Sequence, residues 1–522
     1  MPLTVSRLAT IALIAATSSA HAVPVTTTVN DTRLTVLGLV GVGRLPANLR
    51  DEHGETFGSV SGLYADTATW KRDGASYRGV FHSTPDRGYN VAGTIDYTAR
   101  INRLEVVFTP VDTSASGLPQ DQIVLSLAQA TRLFERLPAG GTQWVSGLDP
   151  KPGGVATGGA RPASGSQPEL PQAFNGKLSL DAEGIVKLAD GSWLISDEYG
   201  PSIYRFSNEG ELLGALPVAE SVRPVRGGVF DYSSNNPADG QPAPSPANPT
   251  NGRQNNQGFE GLSISPDGST LFVALQSATR QDGGTGGTSA TRDHTRIFTY
   301  DISSPDEIVL TGEYVVRLPG FLQGGAVRIA AQSEILALSG TQLLILPRDS
   351  NGLGLPNPTS LYRHVDVVDL RDATNILGQP YEGQIAPGGV LNPAITPASL
   401  SSWLDINDIS ELNRFGLTNG VLEGFDNLSE KWEGLALLPA LDPTAPRDWF
   451  LFVANDNDFL TTDGFHAGEA YSAEFDNDTM FLAYRVRITE VPEPAAPVSL
   501  LLGLMGLAVF RRRPGPAPSD AS

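Results

Sequence analysis

The fold is decided by the stretch DAEGIVKLADGSWLISDEY at residues 181–199. Two apolar runs flank Asp190-Gly191, and an Asp-Gly pair in this setting predicts a tight turn between antiparallel strands. Pro201 begins another turn, and a third strand is predicted at Ile203–Phe206. The stretch therefore predicts a meander of three short antiparallel strands.

The same unit returns along the chain. It reappears at 259–264 with 271–275 and 296–301, again at 432–437 with 449–454 and 481–486, and in degenerate form from Ser61. Repeated units of three or four strands are typical of β-propeller blades. We expect an all-β propeller of about six blades, with seven also compatible. Thr32–Leu39 is predicted to complete the last blade beside residues 481–489.

Composition excludes several classes of protein. The chain has 522 residues, with 56 Gly and 39 Pro, which disfavours a mainly helical fold. It has no Cys, which excludes disulfides, thiolate metal sites and Cys nucleophiles. A net charge of −21 disfavours nucleic acid as a partner. We expect loop inserts at 150–173 and 233–257 and short helical inserts at 122–137 and 400–415.

Both ends of the chain have the features of targeting signals. Residues 1–22 have the charged start, apolar run and Ala20-His21-Ala22 site of a secretory signal peptide. At 491–522, a Pro-Glu-Pro motif, an apolar run at 495–510 and three arginines resemble the PEP-CTERM sorting signal. That resemblance implies an exported protein processed by an exosortase, touching membrane only through this segment, which is either cleaved or retained. The propeller domain is then 23–490.

Three inner strands are predicted to begin with Glu-Gly, at Glu183, Glu260 and Glu433. Inner strands of a propeller line the central channel, so these carboxylates are expected to converge. Clustered carboxylates either take up protons or hold a cation, and Ca²⁺ favours oxygen ligands. Alternatively, each Glu caps neighbouring backbone N–H groups at a turn. The second strands end in further polar residues at the same rim, and Asp197 and Asp456 complete the predicted calcium ligands.

These motifs resemble the family described as "esterase-like activity of phytase". The resemblance rests on residues 181–199, 256–268 and 432–459, and spans about 55–490. It implies a β-propeller that hydrolyses phosphate esters. Beside that resemblance, a bound Ca²⁺ would polarise the phosphoryl oxygens and orient an attacking water, so Glu183, Glu260, Glu433 and Arg87 are the candidate catalytic residues. Candidates for substrate contacts are Arg87, Arg253, Arg205, Asn256, Tyr199 and Asn455.

Two departures from the family pattern leave the substrate open. The insert at 233–257 is long, and the first repeat has Ser61-Gly62 where the others have Glu-Gly. The partner is therefore either a small phosphate ester or an extracellular polymer. The alternatives are a non-catalytic surface or matrix-binding protein with structural calcium, and a lactonase of the gluconolactonase type.

Overall fold

The computed structural model describes residues 24–490 except 138, 154–159, 162–168, 284–288, 305–306 and 422–423. The predicted signal peptide at 1–22 and sorting signal at 491–522 lie outside the described residues. Within these residues, the large sheets form five antiparallel blades, and the inner strand of each blade contacts those of its two neighbours. The inner strands therefore form a closed ring around one axis.

Four blades are built from consecutive strands, which follow one another in chain order from the axis outward. Blade 1 consists of Gly62–Asp73, Ser76–Thr84, Arg100–Phe108 and Ile123–Arg132. Blade 2 consists of Ala182–Lys187, Trp193–Asp197, Ser202–Phe206 and Leu212–Ala215. Blade 3 consists of Phe259–Ile264, Thr270–Leu275, His294–Asp301 and Val309–Arg317. Blade 4 consists of Ala331–Ala337, Gln342–Arg348, His364–Asp369 and Ser399–Asp405.

Blade 5 joins the two ends of the described chain. Its strands are Lys431–Pro439, Asp448–Asp456, Thr479–Glu490, Thr32–Leu45 and Val25–Val29. Thr32 pairs with Glu490 and Leu45 with Thr479, so the strand Thr32–Leu45 runs antiparallel to the last strand along its whole length. The predicted closure of the last blade by residues near 32–39 is confirmed.

The hydrophobic core lies between neighbouring blades. Phe81 and Phe108 of blade 1 pack against Phe452 of blade 5, with their ring centroids 5.1 and 5.2 Å from that of Phe452. Each of the five inter-blade layers is filled in this way by buried apolar side chains. The alternating apolar residues of each strand supply these layers, because successive side chains point to opposite faces of a sheet.

The inner strands carry glycine where neighbouring backbones approach at the axis. A Cβ on Gly184 would lie 2.6 Å from Leu262 Cβ and 2.7 Å from the Glu260 carbonyl oxygen. Gly62, Gly261 and Gly434 occupy the corresponding position in blades 1, 3 and 5. The Gly of the Glu-Gly motif therefore permits close approach of adjacent blades.

The predicted number of blades is corrected. The described strands form five blades and not six, because additional strand-like residues form two-stranded hairpins outside the blades. These hairpins pair Phe134–Arg136 with Thr142–Trp144, Ala160–Arg161 with Leu170–Pro171, Val225–Arg226 with Val229–Phe230, Gly320–Gln323 with Ala326–Ile329, and Gly464–His466 with Glu469–Tyr471.

The predicted helix at 122–137 is wrong, because this region contains the outer strand of blade 1. The region 400–415 begins as a strand and becomes helical only at Ile409–Leu412, followed by a 3₁₀ turn at Asn413–Phe415. A second α-helical turn lies at Arg280–Gly283. Among the described residues, no helix is long and apolar enough to cross a membrane.

Candidate functional site

Polar side chains gather at the end of the axis where inner strands begin and second strands end. We call this end the acidic mouth. Its carboxylates are Asp86, Asp181, Glu183, Glu198, Glu260, Glu430, Glu433, Asp456 and Asp458, and its cations are Arg87, Arg348 and Lys431. The carboxylates outnumber the cations, so the mouth attracts positive charge.

The structure brings Glu183, Glu260 and Glu433 together in this mouth, and all three are buried. Burial, reinforced by the Glu260 carboxylate, raises the pKa of Glu183 well above its usual value. Burial also raises the pKa of Glu260, with Glu198 and Glu433 adding to the effect. Their convergence follows from equivalent positions in the inner strands of blades 2, 3 and 5.

The three glutamates have different partners. Glu433 Oε1 lies 2.5 Å from Nη2 of Arg348, a buried ion pair. Glu260 Oε1 accepts a hydrogen bond from the Gln276 side-chain amide. Its second oxygen, Oε2, is buried and has no hydrogen-bond partner among the described residues. Buried polar atoms are rarely left unpaired, so Glu260 Oε2 marks a place for a proton or a ligand.

Glu183 belongs to a group of three carboxylates with Asp181 and Glu198. One oxygen of each lies within 4.8 Å of the others. Burial, followed by the neighbouring Asp181, raises the pKa of Glu198 well above its usual value. Arg87 is the adjacent cation, with Nη1 3.1 Å from Asp181 Oδ2. Carboxylate oxygens are ligands for hard divalent cations, so these three residues could hold a metal ion.

The second group, Asp86, Asp456 and Asp458, already surrounds a cation supplied by the chain. Lys431 Nζ lies 2.7 Å from Asp458 Oδ1, 3.1 Å from Asp456 Oδ2 and 3.7 Å from Asp86 Oδ2. Although burial opposes the charge, Asp456 and Asp458 hold the pKa of Lys431 well above its usual value. The ammonium group thus occupies the position that a metal ion would take between these carboxylates.

Asp197 and Tyr199, two other residues predicted for the site, support its walls. Asp197 Oδ1 accepts the backbone N–H groups of Asp181 and Tyr199, each at 3.1 Å, and Oδ2 accepts that of Gly200 at 2.8 Å. Burial raises the pKa of Asp197 to about 7. The Tyr199 hydroxyl donates to the Gly147 carbonyl oxygen at 2.8 Å. Both side chains are therefore engaged inside the fold.

The remaining substrate candidates divide into two groups. Arg253 and Asn455 are fully buried, and both hold backbone segments in place. Asn256 is partly exposed in the mouth, where its side-chain oxygen accepts a hydrogen bond from Arg87 Nη1. Arg205 bonds Asp190 and Ser192 at the opposite end of blade 2 and is not part of the mouth. Arg87 and Asn256 are thus the two candidates that can face a substrate.

Sequence reasoning missed Asp181, Arg348 and Lys431 as members of the site. Asp181 and Lys431 each stand two residues before the Glu of their blade, and a strand returns to the same face every second residue. Arg348 ends the second strand of blade 4, where the other blades have polar clusters. The same periodicity and position could therefore have found all three.

Glu334 was also missed, because blade 4 places it where other blades have glycine. Its Oε1 accepts the backbone N–H groups of Leu262 at 3.1 Å and Ile335 at 2.8 Å. The side chain thus reaches from blade 4 to the inner strand of the neighbouring blade 3. Glu334 therefore forms part of the floor beneath the acidic mouth.

Comparison with known proteins decides the family. The phytase-like family, described as "Esterase-like activity of phytase", matches residues 55–459. The chain belongs to the phytase-like family. An uncharacterized secreted protein of Arthroderma benhamiae is 36% identical over 459 residues, covering 82% of this phytase-like chain and 88% of the relative.

Solved propellers resemble this phytase-like protein only distantly. A gluconolactonase from Xanthomonas campestris is 10% identical, with 89% of this chain and 94% of that chain covered and a TM-score of 0.27. An aldose sugar dehydrogenase from Streptomyces coelicolor, solved with PQQ, is 10% identical, with 88% and 98% covered and a TM-score of 0.26. TM-scores this low carry no argument about the present chain.

Proposed function

We propose that this phytase-like protein is an exported hydrolase of phosphate esters that uses Ca²⁺ held by Asp181, Glu183 and Glu198. The observation that carries the proposal is the position of Arg87 beside these three carboxylates, 3.1 Å from Asp181. The phosphoryl oxygens are negatively charged. A cation bound by the three carboxylates and the guanidinium of Arg87 would supply two positive charges to balance them. The secreted relative and the signal-like residues 1–22 support export.

The chain's own residues would bind and orient the phosphate ester and would accept a proton from the attacking water. When bound, calcium supplies positive charge that polarises a phosphoryl oxygen and lowers the pKa of water. Arg87 would bind an equatorial phosphoryl oxygen, oriented by Asp181 and by the Asn256 oxygen. Glu260 Oε2, buried and without a hydrogen-bond partner among the described residues, would accept the proton of the attacking water.

The ligand set in this proposal differs from the predicted one. Asp456 forms an ion pair with Lys431, and Asp197 accepts hydrogen bonds from backbone N–H groups. The proposal therefore uses neither residue as a calcium ligand. Glu433 is neutralised by Arg348 and would stabilise the floor of the mouth. We further propose that the signal at 491–522 is processed by an exosortase after export.

Phosphate release from phytate and from an aryl phosphate tests the proposal, with added Ca²⁺ and with a chelator. We expect calcium-dependent release, reduced at least about 100-fold in Glu183→Gln, because a ligand charge is lost. Asp190→Asn, at the other end of blade 2, is the matched control and should retain activity. Circular dichroism would show that both variants fold.

The opposite result has two distinct forms. Absence of release from both substrates, with a chelator still lowering the Tm, would make calcium a structural ion and favour binding of an extracellular polymer. Hydrolysis of a sugar lactone without phosphate release would make the protein a lactonase. Either outcome overturns the phosphate-ester proposal.

A further inference from the structure

The end of the axis opposite the acidic mouth contains a separate chamber of about 600 Å³. All five inner strands line it. Each blade contributes the aliphatic residue that follows its axial glycine or, in blade 4, Glu334: Leu63, Ile185, Leu262, Ile335 and Leu435. This volume lies within the range of about 300–1,000 Å³ typical of ligand pockets.

The chamber and the mouth have opposite chemistry. Trp449 and Leu437 continue the apolar lining, while Thr32, Ser339 and Gln342 lie among its polar residues. Of the acidic and basic side chains in the described part of the chain, Glu490 alone lines it. Glu334 and the axial backbone separate it from the carboxylates of the mouth. The chamber is therefore suited to an aliphatic occupant and unsuited to a phosphate ester.

The chain itself supplies such an occupant next to the chamber. Ile488 and Glu490 line the chamber, and Glu490 ends the last strand of blade 5. Residues 491–494 follow and can span up to about 14 Å. The run at 495–510, AAPVSLLLGLMGLAVF, then begins, with no charged residue in it. A strongly apolar segment thus starts within reach of an aliphatic chamber on the same molecule.

We propose that part of the apolar run 495–510 docks in this chamber. The docked leucines would be removed from water, together with the aliphatic ring of the inner strands, which is favourable for both surfaces. The chamber holds only some of the side chains of a 16-residue run, so the docked segment can also leave the chamber. The exported protein then carries its apolar segment covered until a membrane or a processing enzyme takes it up.

Cysteine crosslinking tests this proposal directly, because the chain has no cysteine of its own. The full chain would carry Leu437→Cys in the chamber and Leu502→Cys in the segment, and be oxidised with copper phenanthroline without detergent. Docking holds the two thiols together and raises their effective concentration. We expect an intramolecular disulfide, detected as a monomeric species by non-reducing electrophoresis and mass spectrometry.

The matched control pairs Leu502→Cys with Val91→Cys, which is 68% exposed and follows Arg87 on the side of the mouth. The chamber pair should close at least about tenfold faster than the control pair. Adding Leu500→Asp and Leu501→Asp should abolish that advantage. If Leu437→Cys fails to fold, Thr67→Cys, an exposed residue of the chamber lining, replaces it.

Equal rates for the two pairs would overturn the proposal. Disulfides found only in dimers would assign the chamber to the segment of a second copy. Control-rate crosslinking in a chain whose chamber takes up a hydrophobic dye would assign it to a small apolar ligand.

Discussion

At the scale of single residues, Lys431 decides which of the two carboxylate groups can accept an external cation. Its ammonium group lies between Asp86, Asp456 and Asp458, whereas the group of Asp181, Glu183 and Glu198 has Arg87 at its edge, 3.1 Å from Asp181. The same strand position is thus cationic in blade 5 and anionic in blade 2. This difference places the proposed calcium beside blade 2.

Lys431→Met tests the role of that ammonium group. The variant leaves three neighbouring carboxylates without their counter-charge, and we expect the free energy of unfolding to fall by about 3 kcal/mol near pH 8. The loss should shrink on acidification, since burial raises the pKa of Asp456 to about 7 and its carboxyl then takes up a proton. Urea titrations of wild type and variant at pH 8 and at a pH below the pKa of Asp456 measure the two losses.

The control for Lys431→Met is Lys71→Met, because Lys71 is exposed on the inner strand of blade 1. That substitution should change stability by less than about 0.5 kcal/mol. If the two variants are equally stable at pH 8, the carboxylates around Lys431 do not depend on its charge.

His82 gives a pH dependence with a defined sign. Burial, aided by the charge of Lys187, lowers its pKa from 6.5 to about 4. In the unfolded chain His82 therefore binds a proton below about pH 6.5, whereas in the folded chain it binds one only below about pH 4. Stability is lost as pH falls through this window, by about 2 kcal/mol at pH 5.

The His82→Gln variant isolates this contribution. Denaturation curves of wild type and variant at pH 8 and pH 5 should show that the variant loses about 2 kcal/mol less on acidification. Contributions from the buried carboxylates are common to both proteins and cancel in the comparison. Parallel pH dependence of the two proteins would contradict the lowered pKa of His82.

The sequence identified Glu183, Glu260 and Glu433 because each precedes Gly in a repeated strand motif. It did not identify Glu334, whose blade has Ser333-Glu334 where the others have a polar residue and Gly. It also did not distinguish the partners of equivalent residues. Whether a glutamate meets an arginine, an amide or another carboxylate depends on contacts between blades that are distant in sequence.

At the scale of the strand, the axial position selects residue size. In blades 1, 2 and 3 the inner strand passes so close to the next that a Cβ added to the axial glycine would lie 2.6 Å or less from a neighbouring atom. Glu334 is tolerated because its carboxylate accepts hydrogen bonds from backbone N–H groups of blade 3 and of its own strand. The Glu-Gly motif therefore combines two requirements, a carboxylate for the mouth and a missing side chain for the axis.

Gly184→Ala tests the axial requirement. The new Cβ would meet Leu262 Cβ at 2.6 Å and the Glu260 carbonyl oxygen at 2.7 Å, so the strands of blades 2 and 3 must separate. We expect a loss of about 2–3 kcal/mol in the free energy of unfolding. Gly383→Ala, at an exposed site with open space around the added Cβ, should have almost no effect. Equal thermal midpoints for the two variants would contradict close packing at the axis.

Strand patterns are clear in the inner part of each blade and ambiguous outside it. The inner and second strands of blades 2, 3 and 5 are short, apolar and joined by turn residues, which is a specific signal. The outer strand Ile123–Arg132 is amphipathic, and its spacing also fits a helix, because a half-exposed strand has few apolar residues to set its period. Hairpins between blades added apparent strands and inflated the blade count.

At the scale of the whole molecule, the ring is closed by a strand from the N-terminal part of the described chain. Thr32–Leu45 lies between Thr479–Glu490 and Val25–Val29, so blade 5 depends on residues more than 400 positions apart. Its buried side chains join the core between blades 4 and 5. The same last strand ends at the aliphatic chamber, so closure also determines where the segment beyond Glu490 begins.

Leu34→Ala tests whether this closure is part of the cooperative fold. Leu34 is fully buried in that core, and truncating such a leucine costs about 3 kcal/mol. If the ring unfolds as one unit, the loss lowers the single thermal midpoint of the protein.

Leu213→Ala, in the outer strand of blade 2 with Leu213 52% exposed, is the matched control and should shift the midpoint little. An unchanged main transition with a new one at lower temperature would show that the closing strand opens independently. The acidic mouth would then be held by an open arc of blades, with Lys431 and Glu433 of blade 5 free to move relative to the proposed calcium ligands of blade 2.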